Sequence, residues 1–134
     1  MPRRRGRLKL FFGAAPGVGK TYAMLAEAQA KHAQGLDVLI GWVDTHGRAD
    51  TEAMLAGLAS MPRKALTHRG KTLAEFDLDA VLARQPALVV VDELPHSNVS
   101  GSRHPKRWQD VEELLAAGID VYSAMNVQHL DSLN

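Results

Sequence analysis

The stretch Leu8-Lys9-Leu10-Phe11-Phe12-Gly13-Ala14-Ala15-Pro16-Gly17-Val18-Gly19-Lys20-Thr21 decides how the rest of the chain is read. A short apolar run, Leu8 to Phe12, reads as a buried strand. It passes through a glycine-rich turn into a segment, Tyr22 to Ala33, rich in good helix formers. Strand, glycine-rich turn, Gly-Lys-Thr and helix is the arrangement of a P-loop. Its glycines let backbone N–H groups approach phosphate oxygens, and the helix start turns its positive dipole end toward the same anion. In this reading residues 13–21 cradle the phosphates, Lys20 reaches the β- and γ-phosphates, and the Thr21 hydroxyl ligates Mg²⁺. The strict pattern asks for glycine six residues before Lys20. Ala14 stands there and Gly13 falls one residue early.

Working outward, Met24, Leu25 and Ala28 make an apolar stripe at helical spacing, and Gly35 is a natural C-terminal stop. Asp37 to Val43 is near-continuously apolar, as in a strand covered on both faces. A helix is expected from about Thr51 to Ser60, capped by Asp50 or Thr51 and stopped at Pro62. Arg63 to Lys71 is basic and takes no assignment. Asp77 to Gln85 reads as a short helix, Ala87 to Val91 as an apolar strand, and Lys106 to Ala117 as a helix ended by Gly118. Ile119 to Met125 is a last strand, ending at Asn126. Four apolar strands alternating with helices, with no hairpin signal, predict an α/β fold: a three-layer, P-loop NTPase-like arrangement with a mainly parallel sheet and helices on both faces. Residues 1–7 read as a basic arm and 8–134 as one nucleotide-binding domain. Ligands of such sheets bind beyond the carboxyl ends of the strands, where the loops 13–21, 44–48, 92–104 and 126–129 would converge.

The composition suits that reading. The chain has 134 residues, 46% apolar and 23% charged, with net charge +1. Bulk charge does not mark a nucleic-acid binder. Arg3, Arg4, Arg5, Arg7 and Lys9 crowd the start and read as a solvated arm. There is no cysteine, which excludes disulfides, thiolate catalysis and Cys-based metal sites. No apolar run approaches the 18 residues that mark a membrane span, and no secretory h-region is present.

Leu88-Val89-Val90-Val91-Asp92 has the form of a Walker B strand, whose Asp completes the Mg²⁺ shell with the P-loop Thr. Glu93 follows directly and is a candidate to orient or deprotonate a water at the γ-phosphate. Asp44, also at a strand end, is its rival. Asn126 is a candidate γ-phosphate hydrogen-bond partner. Arg48, Arg103 and Arg107 are candidate phosphate or partner contacts, because guanidinium matches phosphate geometry. His46, His96, His104 and His129 show no metal-ligand spacing and read as hydrogen-bonding loop histidines.

The motifs recur as a set and in order: Gly13 to Thr21, Thr45 to Arg48, Val91 to His96, Gly101 to Arg107, Asp110 to Asp120 and Asn126 to Leu130. Together they resemble the N-terminal cytoplasmic domain of the KdpD family, bacterial sensor histidine kinases of potassium uptake. The resemblance covers about Leu8 to Asn134. It implies a cytoplasmic ATP-binding domain of a larger inner-membrane protein. The remaining domains would act in cis, and the histidine kinase core, absent from this segment, would phosphorylate the response regulator KdpE. ATP binding here would set the balance of kinase and phosphatase activities, with ATP and Mg²⁺ as ligands and little or no hydrolysis. Neither nucleic acid nor membrane contact is required of this segment. The rival expectation is a slow NTPase using Glu93 or Asp44. A small-molecule kinase is the weaker third, since only residues 94–107 resemble a lid.

Overall fold

The computed structural model describes residues 4–13 and 19–126. In chain order the elements are β1 (Leu8–Gly13), α1 (Lys20–Ala33), β2 (Val38–Trp42), α2 (Ala49–Ala53), β3 (Ala59–Ser60), β4 (Lys64–His68), β5 (Lys71–Glu75), α3 (Leu78–Arg84), β6 (Leu88–Val91), α4 (Arg107–Ala116) and β7 (Asp120–Asn126). Five strands form one parallel sheet in the order β1-β7-β6-β2-β3, and β4 pairs with β5 in a separate antiparallel hairpin.

The strands of the sheet read as unbroken apolar runs because both faces are covered. Alternate residues divide between two cores. Leu39, Val89, Val91, Val121 and Met125 pack with Leu78 and Val81 of α3 and Val111, Leu114 and Leu115 of α4. Val38, Ile40, Leu88, Val90, Tyr122 and Ala124 pack with Met24, Leu25 and Ala28 of α1 and with Leu58 beyond α2. Fully burying each Val, Leu, Ile or Met side chain among them contributes roughly 1.5–3 kcal/mol. The crossovers from β1 to β2 and β2 to β3 run toward the β3 edge over the α1 face. Those from β3 to β6 and β6 to β7 run back over the α4 face. One rule of handedness gives this division.

Helix ends follow local chemistry. The Asp77 carboxylate accepts from the Ala80 N–H at 3.1 Å and caps α3. Lys31 and His32 occupy the last turn of α1, where the dipole favours cations. Gly6 lies so close to β7 that an added Cβ would sit 2.0 Å from the Ile119 carbonyl oxygen. Its N–H donates to Leu115 O at 2.8 Å, and Arg5 pairs with Glu112 at 2.7 Å, so this part of the basic arm is tied to the domain.

Three expectations are corrected. The helix expected over Thr51 to Ser60 is only Ala49–Ala53, with Arg48 rather than Asp50 or Thr51 at its N-cap. The chain turns through Gly57 at φ 81°, and Ala59–Ser60 joins the sheet beside Leu39 and Ile40. Tertiary pairing outweighs helix propensity here. The absence of a hairpin is also overturned, since Lys64–His68 pairs with Lys71–Glu75. The two linking residues, Arg69 and Gly70, have φ of 51° and 77°, the positive values a type I′ turn demands. Finally, the sheet has a fifth strand, β3, beyond the four expected.

Candidate functional site

The carboxyl ends of the strands gather most of the expected residues. Ala14, Ala15, Pro16, Gly17 and Val18 lie outside the described residues, as does His129. On either side of them, Gly13 ends β1 and Gly19 forms the N-cap of α1 with φ 69°, a left-handed conformation that glycine adopts without strain. The first N–H groups of α1 have no partner within the helix. A Cβ on Gly13 would stand 3.0 Å from Lys20 Cδ. The Lys20 stem therefore lies against the end of β1, and a side chain at Gly13 would displace it.

Thr21 reaches across the sheet end. Its hydroxyl donates to Asp92 Oδ2 at 3.2 Å, joining the start of α1 to the end of β6. Asp92 is 2% exposed, and burial pushes its carboxyl above the ordinary value. The Glu93 N–H, which donates to Asp92 Oδ1 at 2.7 Å, and the nearby Lys20 and Thr21 oppose that shift. A buried carboxylate beside a hydroxyl is a hard oxygen pair, the kind of donor set Mg²⁺ takes.

Glu93 holds φ 59°, unusual for a residue with a side chain. Its carboxylate is half-exposed and stands 3.9 Å from Arg107 Nη1. Asp44 follows β2, its Oδ1 accepting from the His46 N–H at 2.8 Å. Asp44, His46 and Glu93 bring one ligating atom each to within 4.8 Å of one another. No linear spacing announces this group, because it joins the loops after two neighbouring strands. His46 Nδ1 lies 3.7 Å from Asp44 Oδ2, and His96 and His104 bond the carboxylates of Glu75 at 3.0 Å and Glu113 at 2.8 Å. A cavity of about 260 Å³ is lined by Gly19, Thr21, Asp44, His46 and Arg48, among others. Arg48 accordingly lies with the candidate phosphate-binding residues. Asn126 is buried opposite Gly13 in the β1–β7 register, and its Oδ1 has no hydrogen-bond partner among the described residues.

Arg103 and Arg107 are both engaged by carboxylates, Arg103 at the surface and Arg107 in the interior. Arg103 binds Asp79 at 2.6 Å and also Glu113. Arg107 is 0% exposed and bonds Glu75 and the Asp92 carbonyl. Sequence reasoning passed over Glu75 altogether. It lies at the end of the hairpin, whose strands alternate weakly, and only the pairing of an unassigned carboxylate with a helix-start arginine through space reveals it.

Comparison with known proteins agrees with the resemblance. Residues 4–134 match the family model described as "KdpD: Osmosensitive K+ channel His kinase sensor domain". The chain is 68% identical over 130 residues to the sensor protein KdpD of Escherichia coli, covering 97% of this chain and 14% of that protein. It is 53% identical over 133 residues to the putative sensor protein KdpD of Synechocystis, covering 99% and 36%. It is 51% identical over 132 residues to that of Clostridium acetobutylicum, covering 98% and 15%. The chain therefore spans about one seventh of two of these relatives and about a third of the other. With a parallel α/β sheet and the motif residues gathered at its carboxyl end, the chain belongs to the KdpD family of osmosensitive potassium-channel histidine kinase sensor domains.

Proposed function

We propose that this domain is a P-loop-type regulatory module that binds ATP with Mg²⁺. The observation that carries the reading is the Thr21–Asp92 hydrogen bond at 3.2 Å, which joins a Gly-Lys-Thr helix start to a buried carboxylate at a strand end. The backbone of residues 13–21 and Lys20 would hold the phosphates, with Arg48 and Asn126 beside them. Thr21 and Asp92 would hold the cation, which supplies charge neutralisation of the phosphates. In the longer protein, a sensor kinase of the bacterial inner membrane, the domain would lie on the cytoplasmic side. No helix among the described residues is long and apolar enough to cross a membrane. Nucleotide-dependent ordering of the loops after β2 and β6 would then bias the remaining domains between kinase and phosphatase action toward the response regulator KdpE.

Slow NTP hydrolysis is the second reading, favoured by the approach of Asp44 and Glu93 next to Asp92. Glu93 or Asp44 would orient the attacking water. Calorimetry with ATP, ADP and GTP, with and without Mg²⁺, on the wild type and Lys20→Ala tests the first reading. Phosphate release from the same samples tests the second. Equal ATP affinity of the two folded proteins rejects nucleotide binding at this loop.

A further inference from the structure

Glu93 stands at φ 59°, a conformation that a residue with a side chain keeps only where its surroundings fix it. Here the backbone is fixed on both sides. The Asp92 N–H donates to Trp42 O at 2.8 Å, the Leu94 N–H donates to Ala124 O at 3.0 Å, and the Glu93 carbonyl accepts from the His96 N–H at 3.0 Å. The Asp92 carbonyl is held by a side chain instead, accepting from Arg107 Nη1 at 3.1 Å. The same nitrogen lies 3.9 Å from Glu93 Oε2. The other arm of the guanidinium, Nη2, is anchored on Glu75 Oε1 at 2.7 Å. Arg107 is a costly anchor. Its side chain is 0% exposed, and its Nε has no hydrogen-bond partner among the described residues. Apolar residues of similar volume often stabilise a core as well as a buried ion pair does, and an unsatisfied buried donor adds to the cost. What an apolar residue cannot supply is the planar fork, which spans two acceptors at a fixed separation.

We propose that Arg107 is the positioning residue of the candidate cation site: braced on Glu75, it fixes the Asp92–Glu93 peptide and, through that peptide, the carboxylates of both residues. The path is short. A trans peptide is planar and points its C=O and N–H in opposite directions, so holding the Asp92 carbonyl also aims the Glu93 N–H. That N–H donates to Asp92 Oδ1 at 2.7 Å. Oδ2 is left to accept from the Thr21 hydroxyl at 3.2 Å. The same bend carries the Glu93 carboxylate to Asp44 and His46. Being fully buried, Arg107 acts through these groups and not on a ligand. Hydrogen-bond partners orient the carboxylates that bind a metal, and losing such a partner typically lowers metal affinity about 10–100-fold. The peptide's dependence on Arg107 concerns this chain alone. Its consequence for the cation rests on the proposed Mg²⁺–nucleotide reading of the site.

The test compares Arg107→Lys with Leu114→Ala in the full-length protein in a lipid nanodisc. Lysine keeps a cation against Glu75, but it ends in a single nitrogen and cannot span both acceptors. Leu114, 0% exposed among the apolar side chains of α3 and α4, is the control, since its truncation costs stability through packing alone. Without nucleotide or metal, the Glu93 amide should exchange with deuterium about tenfold faster or more, relative to the Val90 amide, in Arg107→Lys. Leu114→Ala should keep the wild-type ratio. The ATP binding that responds to Lys20→Ala is then titrated with and without Mg²⁺. Arg107→Lys should cut the Mg²⁺ enhancement about tenfold or more and leave the Mg²⁺-free affinity near that of wild type. Leu114→Ala should alter neither. A wild-type exchange ratio or an undiminished Mg²⁺ enhancement in Arg107→Lys overturns the proposal, and so does an equal change in Leu114→Ala. If Arg107→Lys does not fold, Glu75→Asp, which draws the fork back by one methylene, takes its place with the same expectations and the same failures. If the wild type shows no ATP binding that depends on Lys20, the nucleotide reading fails, and the exchange ratio alone decides the role of Arg107.

Discussion

Arg107 Nη2 donates to Glu75 Oε1 at 2.7 Å in an ion pair whose side chains are 0% and 2% exposed. The pair links three parts of the molecule. Glu75 also accepts from the N–H groups of Phe76 and Val99, at 3.1 and 2.8 Å, and bonds His96. Arg107 Nη1 donates to the Asp92 carbonyl at 3.1 Å. The Trp42 ring lies 4.8 Å from the Arg107 guanidinium and 4.1 Å from that of Arg63. The end of the hairpin is thereby fastened to the backbone that carries Asp92 and Glu93.

Breaking this pair from one side strands a buried charge. Arg107→Met should lower stability by about 3–5 kcal/mol in urea unfolding. The double variant Glu75→Leu, Arg107→Leu should recover part of that loss, because no charge is left unpaired. A single variant within about 1 kcal/mol of wild type would contradict the buried-pair account.

Two of the buried carboxylates, Glu75 and Asp92, act on stability in opposite senses. Burial pushes Glu75 upward, but the bonds from His96, Val99 and Phe76 and the charge of Arg107 outweigh it and hold it below the ordinary value. Its contribution is present above the ordinary carboxylate pKa and is lost as pH falls through the lowered one. Asp92 is shifted up. The native state then binds the extra proton between the ordinary and the raised pKa, and stability contributed by the neutral form is lost as pH rises through that window. Without Mg²⁺, Asp92→Asn should therefore raise the Tm at pH 7 and flatten its decline across that window. A lower Tm for Asp92→Asn at pH 7 would contradict this.

Metal dependence gives the opposite result at the same position. Asp92→Asn and Thr21→Ala should each reduce the gain in ATP affinity that Mg²⁺ brings. An undiminished Mg²⁺ effect in both variants, by calorimetry, would remove them from the cation site. A residue that costs stability when unliganded yet supports ligand binding is the pattern expected of a functional carboxylate.

Lys20→Ala should weaken ATP binding by roughly 1.5–3 kcal/mol, the worth of a hydrogen bond to a charged group. The fold should be unaffected, because Lys20 lies over the strand end and belongs to neither core cluster. Circular dichroism and calorimetry on one sample check both halves.

Turnover should be slow, on the order of 10⁻² per second or less, by analogy with NTPases whose charge-stabilising arginine is not engaged from a partner. Arg103 is held by Asp79 and Glu113, and Arg107 is buried on Glu75. Brisk phosphate release abolished in Glu93→Gln would overturn this expectation and favour hydrolysis.

The sequence by itself determined the parts of this protein whose physics is local. Continuous apolar runs specified buried parallel strands, since only strands covered on both faces lack a polar side. Ala-rich stripes specified α1, and Asp77 specified the start of α3 through its own cap. The motif order specified the family. Tertiary structure alone decided the extent of α2, because the short strand Ala59–Ser60 owes its conformation to Leu39 and Ile40 rather than to its own residues. The hairpin was hidden because its alternation is shallow, with much of both strands exposed and a turn, Arg69-Gly70, that lacks the usual Asn or Asp. The site divides in the same way. That Thr21 and Asp92 come together was legible because each sits in a motif of fixed local geometry. The group of Asp44, His46 and Glu93 and the burial of Arg107 on Glu75 were not. Each joins side chains from different loops, and their distances depend on strand order, which no local pattern encodes.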